Sequence, residues 1–342
     1  MKDNNLNNRE ASMQVVILNS QILEKYLRFF QLLLLNSLII MIFSLILFSG
    51  NSVAKELKPL RIGCQPYGTL ILVEGRGKLG LKLASLGVAP EWIEFKTGME
   101  MMDGFKDGKL DFIVVGEAPP VFMQSAGIDL VYIGYEPPSP KSVAVVIAKN
   151  STIATLADLK GKKIAFAKGT NVHFLFFKVL EKAGLTEKDV QIIYLPPIQG
   201  HKALASNTID AWVIWDPFLA AAQQELGAKI LIDGEGLVPG YQFYLARRDY
   251  AEQNSQVIEV IIEEIKQIEG GIKQNPSAVA KFLAPRIGLS TAALETALSR
   301  MNTGIQLMDT ETMLVQQELA NLFYQKGLIK KISLKDVLWK LP

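Results

Sequence analysis

The chain carries the same short unit twice, and this repeat restricts its fold more than any other feature. From Asp107 it reads Asp-Gly-Lys-Leu-Asp-Phe-Ile-Val-Val-Gly-Glu-Ala-Pro-Pro; from Ser206 it reads Ser-Asn-Thr-Ile-Asp-Ala-Trp-Val-Ile-Trp-Asp-Pro-Phe. With Asp111 set against Asp210, both copies run polar turn, acid, four mostly apolar residues, a strand-end residue (Gly116 or Trp215), a second acid (Glu117 or Asp216), then proline. Four apolar residues bounded by turn signals suit a short strand buried on both faces, as in a parallel sheet. The second acid then lies just past the carboxyl end of its strand, where open α/β sheets bind ligands. Two such units predict two lobes facing one cleft, with Glu117 and Asp216 viewing a single ligand from opposite sides.

At 342 residues the chain has room for two domains with cores of their own. Charged residues make up 20%, the net charge is +2, and no Lys/Arg stripe is interleaved with aromatics, so nothing marks a nucleic-acid binder. The single cysteine, Cys64, excludes an internal disulfide framework and a cysteine-rich metal knuckle. Two histidines, His173 and His201, exclude a His-rich zinc site, and no His-Glu-x-x-His pattern occurs. No cofactor and no metal are expected.

Residues 27–48 are almost all apolar, preceded by Lys25 and Arg28 and followed by Ser49-Gly-Asn-Ser-Val-Ala54. Basic flank, apolar run and a small-x-small end make the order of a secretory signal, with cleavage expected after Ala54. An uncleaved membrane anchor, which needs roughly 20 apolar residues, is the competing reading.

Beyond it, short strand and helix patterns alternate, as in parallel sheets with crossover helices. Strands are expected at Leu60–Cys64, Glu91–Phe95, Asp111–Val115, Ile164–Ala167 and Val190–Leu195, with Val143–Ala148 and Gln242–Ala246 linking the lobes. The helix after Gly169-Thr-Asn is the best defined: Val172, Leu175, Phe176, Val179, Leu180 and Ala183 form one apolar stripe, and Gly184 stops it. Thr170 or Asn171 suits its N-cap, and the free N–H groups beyond can hold an anion without any lysine. Residues from Asp249 to Gly327 read as helical. The boundaries expected are 1–54 for the leader, 55–143 for the first lobe, 144–240 for the second, and 241–342 for the return to the first.

Several blocks, in order, resemble the extracytoplasmic substrate-binding proteins of ABC importers for aliphatic sulfonates, within the nitrate, sulfonate and taurine group. They are Gln65-Pro-Tyr-Gly-Thr-Leu70, Gly116-Glu-Ala-Pro-Pro-Val-Phe122, Tyr132-Ile-Gly-Tyr-Glu-Pro-Pro-Ser-Pro-Lys-Ser142, Asp158-Leu-Lys-Gly-Lys-Lys163, Lys168-Gly-Thr-Asn-Val-His173, Tyr194-Leu-Pro-Pro197 and Asp210-Ala-Trp-Val-Ile-Trp-Asp-Pro-Phe218. The resemblance implies an α/β, two-lobed periplasmic-binding-protein fold of type II, with two parallel-type sheets flanked by helices and two crossover segments. It further implies a monomeric, non-enzymatic receptor in the periplasm, binding a small organic sulfonate anion and delivering it to a membrane permease. Nitrate, bicarbonate, taurine or another small anion is the alternative cargo, and a cysteine-dependent sulfinate desulfinase, with Cys64 as nucleophile, a remoter alternative.

A sulfonate needs converging donors more than a countercharge. The expected donors are the amides and hydroxyls at Gly169, Thr170 and Asn171 on one side, and at Gly68 and Thr69 on the other, with Gln65 beside them. Gly116 allows close approach. Trp215 and Tyr67 are candidates to pack on an alkyl chain. Glu117 and Asp216 stay ambiguous between ligand contact and a bland role: a lobe-to-lobe or hinge partner for Glu117, a helix N-cap for Asp216. Trp212 is expected in the core, His173 as structural or at the edge of the site, and His201 on the surface.

Overall fold

The computed structural model describes residues 24–41 and 57–339, and the chain divides into two compact units, Met1–Glu56 and Leu57–Pro342. In the first unit, residues 24–41 form one helix (α1) whose side chains are exposed. No helix among the described residues is long and apolar enough to cross a membrane. The expected leader boundary at Ala54 lies outside the described residues.

The second unit holds two sheets. The first has the order β11-β4-β10-β3-β1-β2, built from β1 (Lys58–Cys64), β2 (Val88–Glu94), β3 (Phe112–Gly116), β4 (Leu130–Glu136), β10 (Gln242–Arg247) and β11 (Gln306–Leu307). The second has the order β7-β6-β8-β5-β9, from β5 (Val143–Ile147), β6 (Lys163–Phe166), β7 (Gln191–Tyr194), β8 (Ala211–Trp215) and β9 (Lys229–Asp233). Both repeated units are strands, β3 and β8, and every residue of β3 is buried. The sheets are mixed rather than purely parallel: β1, β2 and β3 run parallel, as do β6, β7 and β8, but β10 and β5 enter antiparallel. The reason is connectivity. Each of these strands follows a crossing from the other sheet and enters from the shared edge.

The crossings are residues 137–142 and 234–241, and they run side by side. The Gly234 amide donates to the carbonyl oxygens of Pro140 (3.1 Å) and Val143 (3.0 Å). Gly240, at φ +69°, lies so close to Ser139 that a Cβ would stand 2.8 Å from the Ser139 carbonyl oxygen.

The helices follow their apolar stripes. In α6 (Asn171–Ala183) Val172, Leu175, Phe176, Val179 and Leu180 are buried, and Gly184 closes the helix at φ +67°. Each such buried side chain contributes about 1.5–3 kcal/mol by leaving water. Several strand ends shift by one to three residues; the largest shift is in β2, which starts at Val88 because it pairs with β1 along its whole length. The helix α7 (Pro197–Ala205) is started by Pro197 in its first turn. Between these elements lie α2 (Thr69–Arg76), α3 (Lys78–Ala84), α4 (Met101–Lys106), α5 (Ala118–Ser125) and α8 (Phe218–Leu226).

The C-terminal part is helical as expected: α9 (Arg248–Gln253), α10 (Ser255–Gln274), α11 (Pro276–Ile287), α12 (Thr291–Arg300) and α13 (Thr310–Gln325), interrupted by β11. It does not serve the first sheet alone. Val257, Ile258 and Ile261 of α10 share a core with Leu60 and Ile62 of β1, but Ala293 and Ala297 of α12 pack on Ala220 and Ala221 of α8. Phe323 of α13 enters the core of the second sheet beside Phe166, Phe174 and Phe177.

Candidate functional site

β1 and β3 are neighbours in parallel, so their carboxyl ends share one edge of the first sheet. After β1 the chain turns through Gln65, whose carboxamide donates to the Lys96 carbonyl (3.2 Å), and Gly68, at φ +106°, into α2. No side chain caps α2. Its first residue, Thr69, is buried, and its hydroxyl donates to Glu136 Oε1 (2.5 Å), which also takes the Tyr244 hydroxyl (2.6 Å). In the second sheet β6 turns through Gly169 (φ +77°) into α6. The Thr170 hydroxyl donates back to the Ala167 carbonyl (2.8 Å), so Thr170 is the N-cap by position but caps no helix amide. Both helices thus end in amides with no side-chain acceptor, where partial positive charge collects.

Close contact joins the two halves. A Cβ on Gly116 would lie 1.9 Å from Asn171 Oδ1 and 2.4 Å from its Cγ, so the Asn171 carboxamide sits where only glycine leaves room. Beside it, a Cβ on Gly169 would stand 3.1 Å from Met99 Sδ. Gln242 of β10 pairs with Gly116 on one side and Glu136 on the other, so the partners of Asn171 and Thr69 occupy one row of the sheet edge.

The acids of the repeat are both buried. Glu117 Oε2 accepts the Tyr241 amide (3.2 Å), with the Gly240 amide close enough to favour the charged carboxylate, while Oε1 is buried without a partner. Burial pushes its carboxyl up to about 8, against the opposing pull of those two amides. Asp216, one residue before the N-cap Pro217, accepts the Ala220 amide of α8 through Oδ1 (3.0 Å), and both its oxygens lie 3.2 Å from Arg300 Nη1. Desolvation still outweighs Arg300 and raises the carboxyl to about 6. Tyr67 OH is buried without a partner and feels Asp216, Glu136 and Arg300. Trp215, half-buried at the end of β8, meets Phe218 edge to face at 6.2 Å.

Of the candidates, Gly116 and Asn171 meet directly, while Gly169 meets Met99; Thr69 is bonded to Glu136, which shares Gln242 as a strand neighbour with Gly116, and Tyr67 feels the charges of Asp216 and Glu136. Gln65 turns instead to the segment after β2, at Lys96.

Sequence reasoning missed Glu136, Tyr244, Arg300 and Gln316, the last of which donates to the Glu117 carbonyl (2.6 Å). Glu136 was findable: Leu130-Val-Tyr-Ile-Gly-Tyr-Glu-Pro-Pro is a third strand, acid and proline. Arg300 had no such signal.

His173 is structural. Its ring lies between Phe166 (4.9 Å) and Phe177 (4.6 Å), its Nδ1 accepts the Gly169 amide (3.2 Å), and burial, aided by Lys168, pulls it down to about 4. Trp212 is fully buried as expected; His201, expected on the surface, is half-buried with Nε2 3.2 Å from Glu225. Cys64 ends β1 at 1% exposure, and burial together with Glu74 and Glu94 pushes its thiol up to about 12, away from a nucleophile's range. Among the described residues no cluster of three or more His, Cys, Asp or Glu offers a metal site.

Known proteins share this architecture and sequence. The NMT1/THI5-like family model matches residues 93–284. A protein of Escherichia coli K12 named for binding aliphatic sulfonates is 36% identical over 296 residues, 85% of this chain and 92% of its own. The crystal structure of the periplasmic aliphatic sulphonate binding protein SsuA from Escherichia coli matches with a TM-score of 0.77 at 35% identity, covering 83% of this chain and 93% of that one. The alkanesulfonate-binding protein SsuA from Xanthomonas axonopodis pv. citri bound to MOPS gives 0.75 at 34% identity, covering 81% and 96%. With two mixed sheets joined by paired crossings and similarity along most of its length, this chain belongs to the NMT1/THI5-like family, in the group of the aliphatic sulfonate-binding proteins.

Proposed function

We propose that this chain is the extracytoplasmic receptor of an ABC importer, which closes two lobes on an aliphatic sulfonate and passes it to a membrane permease. The first lobe is 55–143 with 241–342, the second 144–240, and the two crossings are the hinge. The observation that carries the reading is the Asn171–Gly116 contact: it sets the uncapped start of α6 against the sheet edge from which α2 also begins.

A sulfonate is ionised at every physiological pH and offers three acceptor oxygens. The amides at Gly68 and Thr69, those at Gly169, Thr170 and Asn171, and the Asn171 carboxamide supply donors without the desolvation cost of a buried cation. Gly116 gives the guest access to the backbone, Gln65 borders the α2 turn, and Tyr67 and Trp215 offer apolar surface to an alkyl chain. Asp216 and Glu117 hold the frame, the first through Arg300 and α8, the second through the 234–241 crossing. The named relatives are binding proteins, and the periplasm is where such a receptor works, as a monomer reached through the N-terminal leader. A desulfinase would need a reactive thiolate, and the burial of Cys64 opposes one.

Thermal unfolding of the purified protein with methanesulfonate, butanesulfonate, taurine, nitrate and bicarbonate tests the reading, since a native-state ligand raises Tm by mass action. Alkanesulfonates are expected to raise it most. A rise only with nitrate or bicarbonate would reassign the cargo, and no rise with any of these anions would retire the receptor.

A further inference from the structure

The Glu117 carboxyl sits one residue from the glycine that Asn171 touches, and it is fastened to the hinge rather than to a countercharge. Its Oε2 takes the Tyr241 amide, and the neighbouring Gly240 amide also favours the carboxylate; both belong to the second crossing. Gly240 in turn lies against Ser139 of the first crossing, which is tied to the C-terminal part by the Asn302 amide (2.9 Å to Ser139 Oγ). Oε1 is buried and has no partner.

The surroundings offer nothing to neutralise a charge there. The titratable groups are the Tyr241 phenol on the crossing, the Tyr132 phenol of β4, which accepts from Gln316 of α13 (3.1 Å), and Asp309 at the start of α13, which reaches Tyr135 (3.0 Å). From α6 the residue nearest the Gly116 contact is the neutral Asn171, and His173 is held neutral by burial. Among the described residues no Lys, Arg or His forms an ion pair with Glu117.

We propose that Glu117 is a positioning residue that must hold a proton for the hinge to close on an anion, so that seating the guest and ionising Glu117 exclude each other. This rests on the receptor reading. A negative charge on Glu117 would stand beside the guest in a medium of low dielectric, where like charges repel strongly. It would also require water, which the closed crossings shut out. Closure therefore takes up a proton whenever the open form has Glu117 ionised. The direction agrees with a carboxyl raised to about 8; Asp216 and Glu269 are raised to about 6 and about 7 and burial raises Glu136 as well, so it is the Glu117→Gln comparison that assigns the effect to Glu117.

Calorimetric titration with butanesulfonate, from pH 6 to 9.5 and in pairs of buffers differing in ionisation enthalpy, reads this directly, because the sulfonate does not titrate there. The wild type is expected to take up only a fraction of a proton near pH 7.5, rising toward one by about pH 9, and to lose roughly tenfold in affinity for each pH unit above the Glu117 transition. Glu117→Gln should bind with flat pH dependence and without that uptake. If the wild type binds equally well across the range with no proton uptake, the positioning role is overturned while the receptor stands. If no sulfonate binds at any pH, the receptor reading falls, and the urea stability of the ligand-free protein decides the remaining half. A decline toward pH 8 that Glu117→Gln removes supports the held proton; its absence in the wild type overturns it.

Discussion

Asp216 accepts the Arg300 guanidinium and the Ala220 amide, while Glu117, its counterpart in the repeated unit, accepts only main-chain amides and leaves one oxygen unpaired. Both acids follow a buried strand and precede proline, and both are lost to solvent. The repeat therefore specifies where a carboxyl stands and leaves its partner to distant chain. For Asp216 that chain is α12, which lies against α8; for Glu117 it is the crossing at 240–241. One acid ties the C-terminal helices to the second sheet and the other ties the sheet edge to the hinge.

Removing the distant partner gives the largest effect. The Arg300 side chain is 16% exposed and that of Asp216 only 2%, so Arg300→Met would strand a buried carboxylate. Breaking a buried pair costs about 3–5 kcal/mol, and about 3 kcal/mol is expected here at pH 8 by urea unfolding. At pH 5 the loss should shrink, because Asp216 escapes by protonation. An equal loss at both pH values would mean that Arg300 acts only through packing and through the bond its other terminal nitrogen donates to Gln223 of α8.

The residues just before the two acids sharpen the contrast. Gly116→Ala places a methyl group on the Asn171 carboxamide, and sulfonate affinity should fall about 100-fold, close to 3 kcal/mol, read by calorimetry. Trp215→Ala removes surface without blocking the contact, and a fall of about tenfold is expected. Should Gly116→Ala bind normally, the Asn171 contact is incidental to the site.

These contrasts mark how far the sequence carried. Strand positions, the α6 stripe and the turn at Gly169-Thr-Asn were legible because periodicity and glycine act locally. Thr170 shows a limit even there: its residue type suits an N-cap, but its hydroxyl turned to Ala167. The antiparallel entry of β5 and β10 was not legible, since direction depends on which edge the crossing reaches. Arg300 was hidden for the same reason, being 84 residues from Asp216 on a helix whose own pattern explains its place. Glu136 was legible: it repeats the strand, acid and proline order, and Gly127-Ile-Asp129 even supplies the turn and acid before the strand.

The pH dependence of stability separates the two acids most finely. Each folded carboxyl is raised above its ordinary value, Asp216 from 3.8 to about 6 and Glu117 from 4.5 to about 8. A raised carboxyl stabilises the fold fully below its unfolded value, and that contribution is lost as pH rises through the folded one. Between those limits each group contributes a slope of about 1.4 kcal/mol per pH unit. The ligand-free wild type should therefore lose stability steeply from about pH 4.5 to 6 and more gently from 6 to 8, with Glu269, raised to about 7, and Glu136, also raised by burial, adding the same background to every variant. Asp216→Asn should flatten the lower segment alone and Glu117→Gln the segment up to pH 8. Urea unfolding at pH 4.5, 6, 8 and 9 distinguishes them, and if both variants flatten the same segment, the two acids titrate as one coupled site rather than as neighbours with separate partners.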